Sequence, residues 1–152
     1  MADDLVYFYG GSQSRIGPKG QVALPKRFRE VLADGARGLL ILPGAARCLY
    51  IYTYQHFVEA RDRAKEYAAR AGNPEFFRRF MEQVGQLELD TQNRFVLSKE
   101  LREWAGIDGQ DILFIGMDTR IEVWSPAVRA EMTRDDEYAA QRRQQALNIF
   151  GI

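Results

Sequence analysis

Little in this sequence is reactive. It contains one cysteine, Cys48, and one histidine, His56. A lone cysteine excludes a disulfide framework within the chain, and its place in the apolar run around Leu49 reads as a small buried hydrophobe. A lone histidine with no Cys, Asp or Glu at ligand spacing excludes a zinc site of the usual kind and leaves His56 a polar surface residue at a helix start. Net charge is also missing: 21 basic residues meet 21 acidic ones, so no whole-molecule field draws in nucleic acid or an acidic membrane. Any polyanion must therefore be met by a local patch. No apolar run approaches the ~20 residues of a membrane helix. The opening Met-Ala-Asp-Asp is acidic and precedes no long apolar stretch, so no signal peptide is expected and a reducing, cytoplasmic setting is. Proline is scarce, with five in 152 residues, and each one falls at a boundary.

What is present is a globular composition, 46% apolar, with an internal duplication. Asp90-Thr-Gln-Asn-Arg-Phe-Val-Leu-Ser-Lys-Glu-Leu-Arg-Glu103 runs from a polar turn through an apolar strand to a helix start. Gly17-Pro-Lys-Gly-Gln-Val-Ala-Leu-Pro-Lys-Arg-Phe-Arg-Glu30 has the same grammar. A shift of 73 residues superimposes Leu24 on Leu97, Lys26 on Lys99, Arg29 on Arg102 and Glu30 on Glu103. It also carries Leu39-Leu-Ile-Leu42 onto Ile112-Leu-Phe-Ile115.

In chain order, Leu5 to Tyr9 reads as a short strand ended by Gly10-Gly11, and Gln13 to Ile16 as a second. Gly17 to Gly20 is a tight turn in which Gly20 takes positive φ. Gln21 to Leu24 returns as a strand, and Pro25 opens a short helix that Asp34-Gly35 ends. Leu39 to Leu42 and Cys48 to Tyr52 form the next strand pair. Phe57, Ala60, Ala64, Tyr67 and Ala71 then recur at helical spacing, and Asn73-Pro74 caps a second helix. Its stripe of Phe76, Phe77, Phe80, Met81 and Val84 reads as packing surface, in the core or between subunits. Strands follow at Gly85–Leu89, Arg94–Leu97, Ile112–Met117 and Arg120–Trp124, with Ser98 and Ser125 as helix caps. The tail from Ala127 to Asn148 reads as a loosely docked helix.

Catalysis finds no support. The serines lack a glycine-flanked nucleophile elbow, and no phosphate-cradling loop is present, so no cofactor and no small-molecule substrate are expected. The basic residues near the two turns are the informative feature. Arg15, Lys19, Lys26, Arg27 and Arg29 cluster in the first copy; Gln92, Arg94, Lys99 and Arg102 occupy the matching zone of the second. A hairpin exposing such residues can lie in a DNA groove, with Arg on guanine, Gln or Asn on adenine and Lys on phosphate. The alternative is a solvated charged surface, offset by Glu30, Glu88, Glu100 and Glu103. Arg29 and Arg102, each beside a glutamate, also read as structural braces through salt bridges. Asp90, four residues before Arg94, can cross its hairpin to hold it.

These residues resemble the MraZ family of transcriptional regulators, within the AbrB-like swapped-hairpin superfamily, over residues 7 to 126. The family's Asp-x-x-x-Arg turn matches Asp90 to Arg94, followed by Leu97, Leu101-Arg-Glu103 and Arg120-Ile-Glu-Val-Trp124; Ala36 to Leu42 and Cys48 to Tyr52 are similar to its first-repeat strands. The resemblance implies an α+β fold of two tandem swapped-hairpin repeats forming one pseudo-symmetric β-barrel with peripheral helices. Residues 7–54 would be the first repeat, 55–84 a helical connector, 85–126 the second repeat and 127–152 a tail, in a single domain over 1–152. It further implies a homo-oligomeric ring, binding to short direct repeats in double-stranded DNA upstream of a cell-division and cell-wall gene cluster, and repression. The departures lie in the turns. Gly17 and Gln21 stand where the family has Asp and Arg, and Asn93 replaces Gly. On this reading Arg94 is the base contact, while Lys19, Gln21, Gln92 and Asn93 line the turns. Lys26 and Lys99 lie near phosphates, and Arg15 adds a phosphate contact. The competing reading is a ring-forming structural or interaction module that has lost DNA binding. An antitoxin of the same superfamily fits less well, because such chains carry one repeat and a disordered tail.

Overall fold

The computed structural model describes residues 6–32, 38–134 and 137–152. The fold is mixed α+β, with every strand pairing antiparallel. The strands are β1 Phe8–Arg15, β2 Gln21–Ala23, β3 Gly38–Pro43, β4 Leu49–Tyr52, β5 Gly85–Glu88, β6 Arg94–Val96, β7 Asp111–Asp118 and β8 Ile121–Trp124. Six form one sheet in the order β1-β7-β8-β4-β3-β5, and β2 pairs with β6 in a separate two-stranded ribbon. Among the described residues the edges β1 and β5 are not bonded to each other, so the large sheet is open. Exchanging each strand for the one four places along reproduces the same order in reverse.

The helices are α1 Lys26–Arg29, α2 Tyr54–Arg70, α3 Pro74–Glu82, α4 Lys99–Trp104, α5 Pro126–Met132 and α6 Glu137–Ile149. Their starts follow local chemistry. Thr53, Asn73, Ser98 and Ser125 each accept a hydrogen bond from the backbone N–H three residues on, satisfying a donor that the first turn would orphan. Pro25 stands one place earlier than expected, as the cap of α1 rather than its first residue. The stop expected at Asp34-Gly35, the strand start at Leu5 and the resemblance at Ala36 lie outside the described residues.

One apolar cluster lies between the ribbon and the large sheet. Phe114 of β7 is fully buried and meets Phe95 of β6 edge-on at 6.4 Å and Phe28 of α1 at 6.4 Å; Phe28 in turn meets Phe8 of β1 at 6.0 Å. Burial of Leu39 to Leu42 on both faces follows from the sequence, since α2 covers the side turned away from this core.

Three expectations are corrected. Gly10-Gly11 does not end a strand: β1 runs eight residues through it, opposite β7. Gly10 takes φ +86° and pairs with Gly116, where a Cβ would lie 2.4 Å from the Tyr9 backbone nitrogen, so Gly116 permits close backbone approach. The arms of each predicted hairpin barely pair with one another. Only Ile16 and Val22 bridge across the first turn; β1 goes to β7 and β5 to β3. His56 is 2% exposed, not a surface residue, and its Nε2 donates to the Val6 carbonyl. The apolar stripe that runs along α3 to Val84 packs in part: Phe80 and Val84 are half-buried against Tyr52 and Phe57, whereas Phe76 and Met81 remain 38% exposed.

Cys48 is buried, and desolvation, with Glu122 nearby, pushes its thiol up to about 12, so it stays protonated and donates to the Ala45 carbonyl. Phe114→Ala should cost about 3–5 kcal/mol, because the rings that would have to collapse into the cavity sit on three different elements. Denaturant unfolding measures this directly.

Candidate nucleic-acid interface

The ribbon presents one face to the core and one to solvent. Val22 and Phe95 point inward, 1% and 3% exposed, as strand alternation requires. Ala23, Arg94 and Val96 are exposed on the other face, with Gln21 half-buried beside them; the register pairs Gln21 with Val96 and Ala23 with Arg94. Backbone bonds tie both ends: Leu97 N–H donates to Gly20 O at 2.8 Å, and Leu24 N–H to Asn93 O at 2.9 Å. The first turn therefore sits beside the entry of α4, and the second beside the entry of α1. Strand rise puts the turns about 13 Å apart along the ribbon.

The second turn is built around Asp90. Its Oδ1 accepts from the N–H groups of Gln92 at 2.8 Å and Arg94 at 2.9 Å, and its Oδ2 from Arg94 Nε at 3.0 Å. The turn closes with Asp90 N–H on Arg94 O and Asn93 N–H on Asp90 O, Asn93 taking φ +59°. The Arg94 N–H, then the Gln92 N–H and the Arg94 guanidinium, hold the Asp90 carboxyl below its ordinary range against a smaller opposing effect of desolvation. Bracing uses Nε, and a guanidinium has five N–H donors, so Arg94 can be held and still present donors outward.

The first turn has the same backbone closure, with Gly17 N–H on Gln21 O at 2.8 Å and Gly20 N–H on Gly17 O at 2.9 Å. Its side-chain support comes from the opposite end. Gln21 Oε1 reaches back to accept from Lys19 N–H at 3.2 Å, the bond that corresponds to Asp90 accepting from Gln92. A Cβ on Gly17 would lie 2.9 Å from that oxygen. Gly17 and Gln21 are thus a compensated pair: the glutamine fills the space and the acceptor role that a carboxylate at position 17 would take.

The remaining candidates fall into two groups. Arg94, Gln92 and Asn93 share one end of the ribbon with Lys26, while Lys19 and Gln21 share the other with Lys99, as the register dictates. Lys26 pairs with Glu30 at 3.6 Å and Lys99 with Glu103 at 3.8 Å, all four exposed. The expected braces take a different form. Glu30 and Glu103 go to the lysines four residues back, because i,i+4 neighbours share a helix face and adjacent residues do not. Among the described residues neither Arg29 nor Arg102 is ion-paired, and each Nε is buried without a hydrogen-bond partner. Arg15 lies away from the turn, bonded to Gln110 at 3.1 Å and 3.7 Å from Asp111. Arg27 crosses β1 to the Tyr9 carbonyl. Ala23 and Val96 were not singled out in the sequence, although alternation around Phe95 places Val96 outward.

Exposed ion pairs of this kind contribute about 0–1 kcal/mol each, so a phosphate can recruit these lysines at small cost. Chemically the ribbon offers one braced guanidinium, amides at both turns and two small apolar side chains on a strip narrow enough for a ~12 Å major groove.

Two outcomes follow from the turns. A carboxylate lowered in the folded state stabilises above the ordinary range, and loses that effect as pH falls through its lowered value. Asp90→Asn should thus be less stable than the unchanged protein at neutral pH, with the gap closing as pH falls below the ordinary carboxylate range and through the lowered value, as thermal melts down an acid series will report. At the first turn, Gly17→Ala displaces Gln21 and supplies no acceptor, costing about 1 kcal/mol, whereas Gly17→Asp supplies one and should stay within about 0.5 kcal/mol of neutral in urea titrations.

Residues 80–145 match the family model described as "MraZ protein, putative antitoxin-like". A protein named transcriptional regulator MraZ from Moorella thermoacetica is 34% identical over 136 residues, covering 88% of this chain and 92% of the relative. Its namesake from Desulfitobacterium hafniense is 33% identical over 150 residues, covering 95% and 99%. A third, from Acetivibrio thermocellus, is 29% identical over 147 residues, again covering 95% and 99%. Similarity of this extent, running through both turns, the ribbon and the connecting helices, establishes that the chain belongs to the MraZ family.

Proposed function

We propose that this protein is a transcriptional regulator that binds double-stranded DNA sequence-specifically through the outer face of the β2–β6 ribbon. The observation that carries the reading is Arg94, exposed on that face and braced by Asp90 at its turn. Arg94 pairs bidentately with guanine; Gln92 and Asn93 offer amide contacts, and Val96 with Ala23 suits a thymine methyl. Lys19, Lys26 and Lys99 neutralise phosphates, Arg15 gives an outlying phosphate contact, and Gln21 serves the first turn as support more than as reader. Arg29 and Arg102 remain structural, filling the base of each turn-helix junction.

The same proposal covers architecture and context. The exchange of strands between halves and the matched closure of the two turns support two tandem swapped-hairpin repeats, residues 7–54 and 85–126. In this arrangement the ribbon caps the open sheet to complete a barrel-like single domain. Residues 55–84 connect the repeats and 127–152 form the tail. The relatives' name supports transcriptional control, and the family resemblance supports a homo-oligomeric ring acting on direct-repeat boxes, with repression of a cell-division and cell-wall gene cluster in the cytoplasm, at the nucleoid. One strong reader per chain makes repetition of subunits and boxes the main source of affinity.

The test is a fluorescence-anisotropy titration on DNA from the gene's own upstream region at several salt concentrations. Arg94→Ala should weaken specific binding by about 1–3 kcal/mol and relax base preference at one position, while Lys26→Ala weakens all sequences alike and lowers the salt slope by about 1. Absence of specific binding by the unchanged protein at any salt would instead favour a ring-forming structural module.

A further inference from the structure

We propose a second binding site, for a small amphipathic anion, in the groove between the β3–β4 hairpin and helices α2 and α3. The groove has a volume of about 510 Å³ and is walled by Tyr50, Tyr52, Phe76 and Phe80, with Arg63 and Arg79 at its sides. Such a volume lies within the range of ordinary ligand pockets, which combine apolar walls with a few placed polar groups.

The wall is built rather than incidental. Tyr50 lies flat against Gly44, where a Cβ would sit 2.4 Å from its ring, and its hydroxyl accepts from Ala45 N–H at 3.1 Å. Arg120 stacks on the Tyr50 ring, 4.1 Å from its centroid, and fixes it from another side. Phe80 stacks on Phe57 at 6.1 Å, and Phe57 meets Tyr52 at 6.2 Å.

Charge selects the occupant. No carboxylate lines the groove among the described residues. The nearest buried one, Glu122, is taken by Arg120 at 2.8 Å and by the Trp124 indole N–H at 3.0 Å. Elsewhere on these helices Arg70 pairs with Glu66, Arg78 with Glu75 and Arg61 with Asp62, and Lys65 does not line the groove. Arg63 and Arg79 have no ion pair among the described residues, and they flank the aromatic walls. Two guanidiniums beside an apolar trough suit a carboxylate, sulfonate or phosphate carried on an aromatic or branched aliphatic body.

Anilinonaphthalene sulfonate is a suitable probe, titrated by fluorescence against the full chain in its native assembly state. Saturable binding of one probe per chain is expected, weakened about tenfold or more in the double variant Arg63→Ala/Arg79→Ala and unchanged in Arg78→Ala, whose cation lies outside the groove. The neutral analogue N-phenylnaphthylamine should bind the unchanged protein and the double variant alike. Arg63→Lys/Arg79→Lys, which keeps the charge, should retain most of the affinity and guards against misfolding of the alanine variant. Equal binding of the sulfonate to the unchanged protein and the alanine variant, or loss of saturation, overturns the proposal. So does binding seen only after the assembly dissociates, which would give the groove to a second copy of the chain.

Discussion

The exchange of strands between the two halves is the constraint on which everything else depends. β1 finds its ladder with β7, β2 with β6, β3 with β5 and β4 with β8, while among the described residues only β3–β4 and β7–β8 are local strand pairs. A strand with unpaired edges is costly to bury, so neither half can close its core without the other. The eight-residue β1–β7 ladder and the Phe8–Phe28–Phe114–Phe95 chain of rings act together here. They pin the ribbon against the core by its inner face, and the outer face is left free by elimination.

Electrostatics within that frame are local. The chain is neutral overall, yet the two ends of its ribbon carry cations, three of them accompanied by a carboxylate: Lys26 by Glu30, Lys99 by Glu103, Arg94 by Asp90. The lysine pairs are solvent-exposed and weak, so they keep the surface soluble without locking it. The Asp90–Arg94 pair is of a different kind, because the same carboxylate also organises two backbone N–H groups. Removing it disturbs the turn's shape as well as the arginine's orientation.

Helix caps and turns were legible in the sequence because their chemistry is contained within four residues. Asn73-Pro74, Ser98, Ser125 and the positive φ of Gly20 all follow from local rules, as does the spacing that lets Asp90 reach Arg94. Strand partners were less legible, since alternation tells which face a residue takes and not which strand lies beside it. For the same reason Gly10 and Gly11 read as a terminator when they lie inside the β1–β7 ladder, opposite Gly116 and Ile115. His56 was misread because its burial depends on Val6, fifty residues away. In the sequence, Gly17 and Gln21 are only departures from the family's Asp and Arg, and the geometry alone reveals the glutamine filling the space beside Gly17. Of the apolar stripe along α3, sequence periodicity identified the residues but not that Phe76 and Phe80 would line an open groove.

The two turns share one backbone frame yet differ in what they carry, and this breaks the symmetry of the ribbon. One end holds a braced guanidinium, the other a lysine on a turn supported by a neutral amide. A symmetric ribbon could lie on a site in either of two orientations with equal energy; this one has a head and a tail. On the function proposed above, each chain confers polarity on what it binds, and a row of chains facing the same way would be matched by a row of sites written in one direction and mismatched by a palindrome.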